Sequence, residues 1–327
     1  MGAIVGCVPP PDKDAGCWSA LLKRSASEPG RPPRDAAALA PQEGSLEQAG
    51  MVRLQLSADL CFFALSAEAK AGTTASGYGG DATGARPWWG GVLLGAWIAG
   101  QGPDLLRGRS VLELGCGAAP LPGMAAALRG ASRVLATDGC PAAVRAAAAV
   151  LARNAALPST CTVDRQAWEE PPKPGGERAW DVVIFADVIY SEEGAQLLAA
   201  AVDRHVAAGG WVLGAVGLLR FGSSDVFGRM SRLGFAAAEV PVSPEILGRA
   251  ASAAASLAGA NATDLGGAGS ASEMEGRCKL VRWVRRSAGP PLWDGRDEAA
   301  ALERHAVDFL HKRESAVTFA QGWEPCE

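Results

Sequence analysis

A short apolar segment that runs directly into two closely spaced glycines is the strongest constraint on how this chain folds. Val111-Leu112-Glu113-Leu114 has the length and character of a buried parallel strand, and Gly115-Cys116-Gly117 follows it. An alanine-rich helical pattern comes next, at residues 123–128. A strand, a glycine turn and a helix in this order bring a ligand close to bare backbone at a helix N-terminus. Glycine suits the turn because a Cβ atom would hinder both a positive φ and the approach of the ligand.

Strands and helices alternate regularly after this segment. The patterns predict strands at 111–114, 133–136, 161–163, 181–186, 211–216, 235–240 and 279–285. They predict helices at 123–128, 141–154, 193–206 and 225–233. Because the strand segments are apolar and are separated by helices, we expect an α/β fold with a parallel sheet. The predicted architecture is a Rossmann-like, doubly wound seven-stranded sheet with helices on both faces.

The remaining segments suggest how the chain is divided. Residues 1–50 are rich in proline, alanine and glycine, which predicts a flexible N-terminal leader before a domain at 51–287. Within that domain, 52–63 is predicted to form a strand or hairpin and 88–98 an apolar helix. An insertion rich in alanine, serine and glycine at 243–277 is expected to be partly disordered. The tail at 288–327 is expected to contain an amphipathic helix.

Composition and charge limit the classes of partner that this chain is expected to bind. A net charge of −4 gives no broad electrostatic footprint for nucleic acid, so no nucleic-acid partner is expected. The longest apolar run, residues 88–100, has 13 residues including four glycines and is too short to cross a bilayer. We therefore expect a protein without a membrane span, and a monomer is favoured.

Cysteine and histidine usage argues against a metal site. Eight cysteines occur without a Cys-x-x-Cys pair, and the chain has three histidines. Free thiols in a reducing compartment are the better interpretation, which predicts a cytoplasmic or nuclear location. Met1-Gly2 fits the start of a myristoylation signal, but Gly6 stands where that signal has serine or threonine, so N-terminal lipidation is disfavoured.

Asp138 and two prolines help to identify the ligand of the glycine turn. Asp138 lies 21 residues after Gly117, at the end of the next predicted strand, where a carboxylate accepts hydrogen bonds from ribose hydroxyls. Dinucleotide dehydrogenases and class I methyltransferases share this arrangement. Pro120 stands where a dehydrogenase has its third glycine, and Pro122 follows it. Because proline has no N–H to donate to a pyrophosphate, the turn favours an adenosyl ligand without phosphate.

A resemblance to a known family appears at the end of the predicted strand 181–186. The string Asp187-Val188-Ile189-Tyr190 resembles the Asp-x-x-Tyr signature of the class I, seven-strand, S-adenosylmethionine-dependent protein-lysine methyltransferases, which also look like nicotinamide N-methyltransferase. The string Thr83-Gly84-Ala85-Arg86-Pro87-Trp88 is similar to the family's Thr-Gly-x-x-x-Trp before its first helix. Trp168 stands in a loop where the family often has a tryptophan beside the adenine. The resemblance covers 83–240 and 279–285.

The resemblance implies S-adenosyl-L-methionine as cofactor and a protein that presents a lysine as partner. The glycine turn would approach the methionine part, Glu113 would steer the turn and the cofactor's amine, and Asp138 would hold the ribose. Asp187 would orient the acceptor amine, and Tyr190 would form a wall around the lysine stem; these two are the implied catalytic residues. The implied cofactor-binding residues are Trp88, Glu113, Gly115, Cys116, Gly117, Asp138, Trp168 and Ala186. No metal is implied.

Other interpretations stay open. Trp88 and Trp168 are two of ten tryptophans and could fill the core, and Asp187 could cap the helix that follows it. A small-molecule N-methyltransferase would use the same cofactor site with an enclosed acceptor pocket. A binding protein without turnover would keep the fold, although it would be expected to have a damaged glycine turn. Val188-Ile189 replaces the Pro-Pro of the Asn/Asp-Pro-Pro-Tyr turn found in nucleic-acid amine methyltransferases, which argues against that class.

Overall fold

Seven strands form the central sheet in the computed structural model of the chain, in which residues 51–65, 84, 87–172, 178–218, 222–258 and 278–286 are described. The predicted leader at 1–50 and the predicted tail helix at 288–327 lie outside these residues. No helix within the described residues is both long and apolar enough to cross a membrane.

The strands of the sheet follow the predicted positions within a few residues, except that the fifth begins earlier. They are β3 (Ser110–Leu114), β4 (Arg133–Asp138), β5 (Cys161–Arg165), β6 (Trp180–Ala186), β7 (Val206–Gly217), β8 (Phe235–Val240) and β9 (Cys278–Arg285). Their order across the sheet is β5-β4-β3-β6-β7-β9-β8. Because β3 lies between β4 and β6, the chain winds outward in both directions from the centre, as the prediction of a doubly wound sheet requires.

The expectation of an entirely parallel sheet is wrong for its last strand. β9 lies between β7 and β8 and runs antiparallel to both. An antiparallel neighbour can be reached by a simple return of the chain, whereas a parallel neighbour needs a crossover connection. Strand patterns report burial and length but not direction, so the sequence pattern did not reveal this reversal.

The helices are α1 (Trp89–Gly100), α2 (Leu121–Leu128), α3 (Pro141–Arg153), α4 (Glu192–His205), α5 (Ser223–Arg232) and α6 (Pro244–Ala258). These helices cover both faces of the sheet, as the contacts of β3 side chains show. Leu112 and Leu114 belong to a buried cluster with Leu198 of α4, whereas the Glu113 carboxylate contacts the Gly123 N–H of α2. Since successive side chains of a strand point to opposite faces, α2 and α4 lie on opposite sides.

The first half of the insertion at 243–277, where partial disorder is predicted, is helical. Residues Pro244–Ala258 form α6, which packs against α1 and β1 (Met51–Gln55). Leu247, Ala250, Ala254 and Leu257 are buried at a helical spacing. Alanine has a high helix propensity, so an alanine-rich segment can form a helix. Because alanine side chains are small, the apolar stripe is hard to recognise in a sequence whose composition resembles low complexity. Residues 259–277 lie outside the described part of the chain.

The expected hairpin near the start of the domain is present. β1 pairs with β2 (Cys61–Leu65) in antiparallel register, as a separate two-stranded sheet. Asn154, at the C-terminus of α3, exchanges hydrogen bonds with the Phe63 backbone: the Phe63 N–H donates to Oδ1, and Nδ2 donates to the Phe63 carbonyl oxygen. These two bonds attach the hairpin to the seven-stranded sheet and its helices through α3.

Candidate active site

The glycine turn adopts the conformation that its composition predicts. Gly115 has φ of +72° and Gly117 has φ of +59°, both in the left-handed region that favours glycine. A Cβ on Gly115 would lie 2.6 Å from Cγ1 of Val188. The Cys116 N–H donates to the carbonyl oxygen of Thr137, which fixes the turn to β4. The turn therefore presents bare backbone at the carboxyl end of β3.

Glu113 points under the start of α2. Its Oε2 accepts a hydrogen bond of 2.9 Å from the Gly123 N–H, and a Cβ on Gly123 would lie 2.6 Å from the same oxygen. The pKa of Glu113 is raised from 4.5 to about 8: burial raises it most, the Gly123 hydrogen bond partly opposes the shift, and the negative charge of Asp138 adds to it. The carboxyl group is thus the hydrogen-bond acceptor for the Gly123 N–H at the N-terminus of this helix.

This contact bears on the choice between a pyrophosphate and a phosphate-free ligand. Phosphates bind helix N-termini through free backbone N–H groups. In the first turn of α2, Pro122 has no N–H, and the Gly123 N–H already donates to Glu113. The start of this helix is therefore a poor phosphate site, as the two prolines predicted.

Asp138 connects the glycine turn to the start of α3. Its Oδ2 accepts from the Gly117 N–H at 2.9 Å, and its Oδ1 accepts from the Cys140 N–H at 2.8 Å. Burial raises the pKa of this carboxyl group, while the two backbone donors act in the opposite direction. A carboxylate oxygen has two lone pairs, so each oxygen retains acceptor capacity for a ligand hydroxyl.

These groups border one cavity of about 430 Å³ at the carboxyl edge of the sheet. That volume falls in the range of small-molecule sites. The cavity brings together all eight residues that the sequence predicted for cofactor binding: Trp88, Glu113, Gly115, Cys116, Gly117, Asp138, Trp168 and Ala186. Tyr190 lines it as well.

Trp168 is half-buried beside the glycine turn. A Cβ on Gly115 would lie 3.3 Å from Cζ2 of its ring, and its carbonyl oxygen accepts a hydrogen bond from the Arg204 guanidinium of α4. Trp168 could be a core residue or a cofactor contact, and its position agrees with both. The ring packs against the core cluster and also lines the cavity.

Two aromatic rings stand together at another part of the cavity wall. Trp88 and Tyr190 have ring centroids 6.4 Å apart at an interplanar angle of 58°. Tyr190 is 39% exposed, which leaves this side of the cavity in contact with solvent. An aromatic wall that is open to solvent suits the aliphatic stem of a side chain that enters from outside.

Asp187 occupies a different position from the one expected of it. It is a described residue but does not line the cavity; its side chain is buried, and its Oδ2 accepts from the Gly90 N–H of α1 at 2.9 Å. The alternative that Asp187 caps the following helix is wrong, because Ser191 caps α4 by accepting from the Gly194 N–H. That Asp187 orients an acceptor amine stays a prediction.

Several residues that line the cavity were not predicted. They flank predicted residues along the chain: Gly139 and Cys140 follow Asp138, Ala167 and Glu169 flank Trp168, and Ser191 follows Tyr190. The signal that could have found them is their position in loops at the carboxyl ends of strands, where ligands of open α/β sheets bind. In the motif upstream of α1, Gly84, Pro87 and Trp88 line the cavity, while Thr83 lies outside the described residues.

The cavity fits S-adenosylmethionine in three respects. The side-chain-free glycine turn leaves room for a ligand against the backbone. The buried carboxyl groups of Glu113 and Asp138 suit a ligand that brings a positive charge and hydroxyl groups. The occupied N-terminus of α2 suits a ligand without phosphate. Within the described part of the chain, no group of three or more metal-binding side chains is present.

Comparison with known proteins agrees with this geometry. A family model described as lysine methyltransferase matches residues 70–232. The human electron transfer flavoprotein beta subunit lysine methyltransferase is 35% identical over 108 residues, which cover 32% of this chain and 37% of the human protein. The Xenopus laevis protein of the same name is 31% identical over 156 residues, covering 47% of this chain and 60% of its own length. The matches thus span from about a third to three fifths of these relatives.

Solved structures of similar fold include a ribosomal protein L11 methylase from Lactobacillus delbrueckii subsp. bulgaricus, with a TM-score of 0.38, 15% identity, and coverage of 59% of this chain and 78% of that one. Magnesium protoporphyrin IX methyltransferase from Synechocystis PCC 6803 has a TM-score of 0.40, 16% identity, and coverage of 59% and 76%. Residues 70–232 of this chain, just under half of it, are thus similar to the lysine methyltransferase family.

Proposed function

We propose that this protein is an S-adenosylmethionine-dependent N-methyltransferase that acts on a lysine side chain of a protein substrate. The observation that carries the proposal is the single cavity at the carboxyl edge of the sheet. It combines a bare glycine turn, two buried carboxyl groups and a solvent-facing aromatic wall.

The cofactor would be held by residues with distinct tasks. The backbone of Gly115 and Gly117 would contact its methionine part, Asp138 its ribose hydroxyls, and Trp168 its adenine. Glu113 would face its positive charge. When bound, S-adenosylmethionine supplies a methyl group on a positively charged sulfur, so an amine needs alignment at about 3–3.5 Å rather than further activation.

The acceptor side is assigned to Trp88 and Tyr190. The lysine must arrive as a neutral amine, because an ammonium group has no lone pair. The two aromatic rings would exclude water from the lysine stem, and desolvation lowers the pKa of a lysine. The 39% exposure of Tyr190 supports a side chain that enters from a macromolecule over an enclosed small-molecule pocket.

The test is methyl transfer from tritium-labelled S-adenosylmethionine. The relatives are named for the beta subunit of electron transfer flavoprotein, so that purified subunit is the first substrate to try, with a cell lysate beside it. The expected result is label on a protein band that releases methylated lysine on acid hydrolysis. Asp138→Ala should abolish it, and Glu245→Gln, on the exposed start of α6, should not. Label in small molecules alone would favour the other N-methyltransferase class.

We also propose a reducing compartment, the cytoplasm or the nucleus. Among the described residues, Cys61, Cys116, Cys140 and Cys161 are free thiols, which supports this location. Fractionation of cells that express the tagged chain tests it, and recovery in a secreted fraction would contradict it.

A further inference from the structure

The beginning of α1 lacks a side-chain cap from its own N-cap residue. Trp88 holds the N-cap position, and its side chain makes no capping hydrogen bond. The N–H groups of a first helical turn have no partner within the helix. The Gly90 N–H of this turn donates to Oδ2 of Asp187, which lies 97 positions later in the sequence, after β6. The partner of this N–H thus comes from the sheet.

Gly90 and Asp187 are closely packed, and the backbone of each residue suits the contact. A Cβ on Gly90 would lie 3.1 Å from Cγ of Asp187 and 3.1 Å from Cβ of Ala215 on β7. Asp187 has φ of +56°, and its own N–H donates to the carbonyl oxygen of Ala215. Aspartate and asparagine adopt this left-handed conformation more readily than most residues. The side chain is only 6% exposed.

Trp88 links this contact to the cavity. It immediately precedes α1, lines the cavity and faces Tyr190, which lies three residues after Asp187. Both aromatic rings are therefore joined by short stretches of backbone to the Asp187–Gly90 hydrogen bond. A change in that bond is therefore expected to displace one ring relative to the other.

We infer that Asp187 is a positioning residue, and that its hydrogen bond to the Gly90 N–H fastens the start of α1 to the end of β6 so that Trp88 closes the cavity opposite Tyr190. On this inference the carboxylate acts through Gly90 and Trp88, in place of the contact with the acceptor amine that the family resemblance implies. This inference rests on the proposed function for the identity of the ligand, but the hydrogen bond itself does not depend on it.

Two substitutions at Asp187 separate the hydrogen bond from the charge. Asp187→Asn keeps an oxygen acceptor and tolerates a positive φ, but removes the charge. Asp187→Gly removes the acceptor while also tolerating a positive φ. The affinity for S-adenosylhomocysteine is measured by calorimetry, and kcat is measured at saturating cofactor and substrate.

Asp187→Gly is expected to weaken S-adenosylhomocysteine binding by about tenfold to a hundredfold, the usual effect of losing a hydrogen bond to a charged group. Asp187→Asn should restore both the affinity and kcat to within about threefold of the wild type. The inference is overturned if Asp187→Asn loses as much kcat as Asp187→Gly while both bind S-adenosylhomocysteine normally, because the charge would then act at the acceptor.

Gly90→Ala tests the contact from the other side and serves if Asp187→Gly does not fold. The added methyl group would lie 3.1 Å from Cγ of Asp187, so the carboxylate must shift by a few tenths of an ångström and a loss of affinity in the same direction is expected. Gly248→Ala is the matched control, because a Cβ there meets no atom within 4 Å in α6. Wild-type affinity in Gly90→Ala would contradict the inference.

Hydrogen exchange of the Gly90 amide distinguishes failure of this inference from failure of the proposed function. Protection in the wild type and Asp187→Asn, with loss in Asp187→Gly, supports the contact even if no methyl transfer is found. Equal protection in all three proteins would overturn it, whatever the protein methylates.

Discussion

Glu113→Gln tests the electrostatics of the cofactor cavity. In the folded protein burial raises the pKa of Glu113 from 4.5 to about 8. Above pH 4.5 the unfolded chain carries this carboxyl group ionised, so folding must take up a proton. That requirement costs free energy that grows with pH and becomes constant above pH 8. Glutamine retains an oxygen for the Gly123 N–H and does not titrate.

The size of the effect follows from the pKa shift. At about 1.4 kcal/mol per pKa unit, the difference of 2.5 units between pH 7 and 4.5 corresponds to about 3 kcal/mol, and the full shift to about 5 kcal/mol above pH 8. Glu113→Gln should therefore stabilise the ligand-free protein by these amounts and by less than about 1 kcal/mol at pH 5. For a domain of this size, about 3 kcal/mol at pH 7 raises the Tm by about 6–12 °C.

The assay is thermal unfolding of both proteins between pH 5 and 9, followed by circular dichroism. Glu245→Gln, at an exposed glutamate of α6, is the control and should show no pH-dependent difference from the wild type. If the Tm difference between Glu113→Gln and the wild type stays constant from pH 5 to 9, the reasoning about burial is refuted. A difference that shrinks as the pH rises would refute its sign.

Three further substitutions test other parts of the structure. Gly115→Ala should cost about 1–2 kcal/mol of stability for its left-handed φ alone and abolish S-adenosylhomocysteine binding in calorimetry; unchanged binding would contradict a close approach of the ligand to the glycine turn. Asp138→Ala should weaken that binding by at least about tenfold because it leaves two backbone N–H groups without their acceptor, whereas an unchanged affinity would argue against a ribose contact. Leu247→Ala should lower the free energy of unfolding in urea by about 2–5 kcal/mol, and a loss under about 0.5 kcal/mol would contradict the packing of α6.

Much of the fold and of the cavity was predictable from local sequence patterns. Apolar runs and helical periodicity located the strands of the sheet and the helices between them, because burial on a strand or helix face leaves a period in the sequence. The carboxyl ends of parallel strands meet at one edge, so Gly115, Asp138 and Ala186 were bound to converge once those strands were assigned.

The sequence by itself thus determined the doubly wound sheet, the glycine turn and the side of the sheet on which a ligand binds. Only the tertiary structure decided the reversed direction of β9, the helix within the insertion, and the partners of Glu113 and Asp187. The Asp187 carboxylate contacts Gly90, 97 residues away, and not the helix that follows it. A hydrogen bond between such distant residues depends on how helices pack onto the sheet, which no local pattern of side chains encodes.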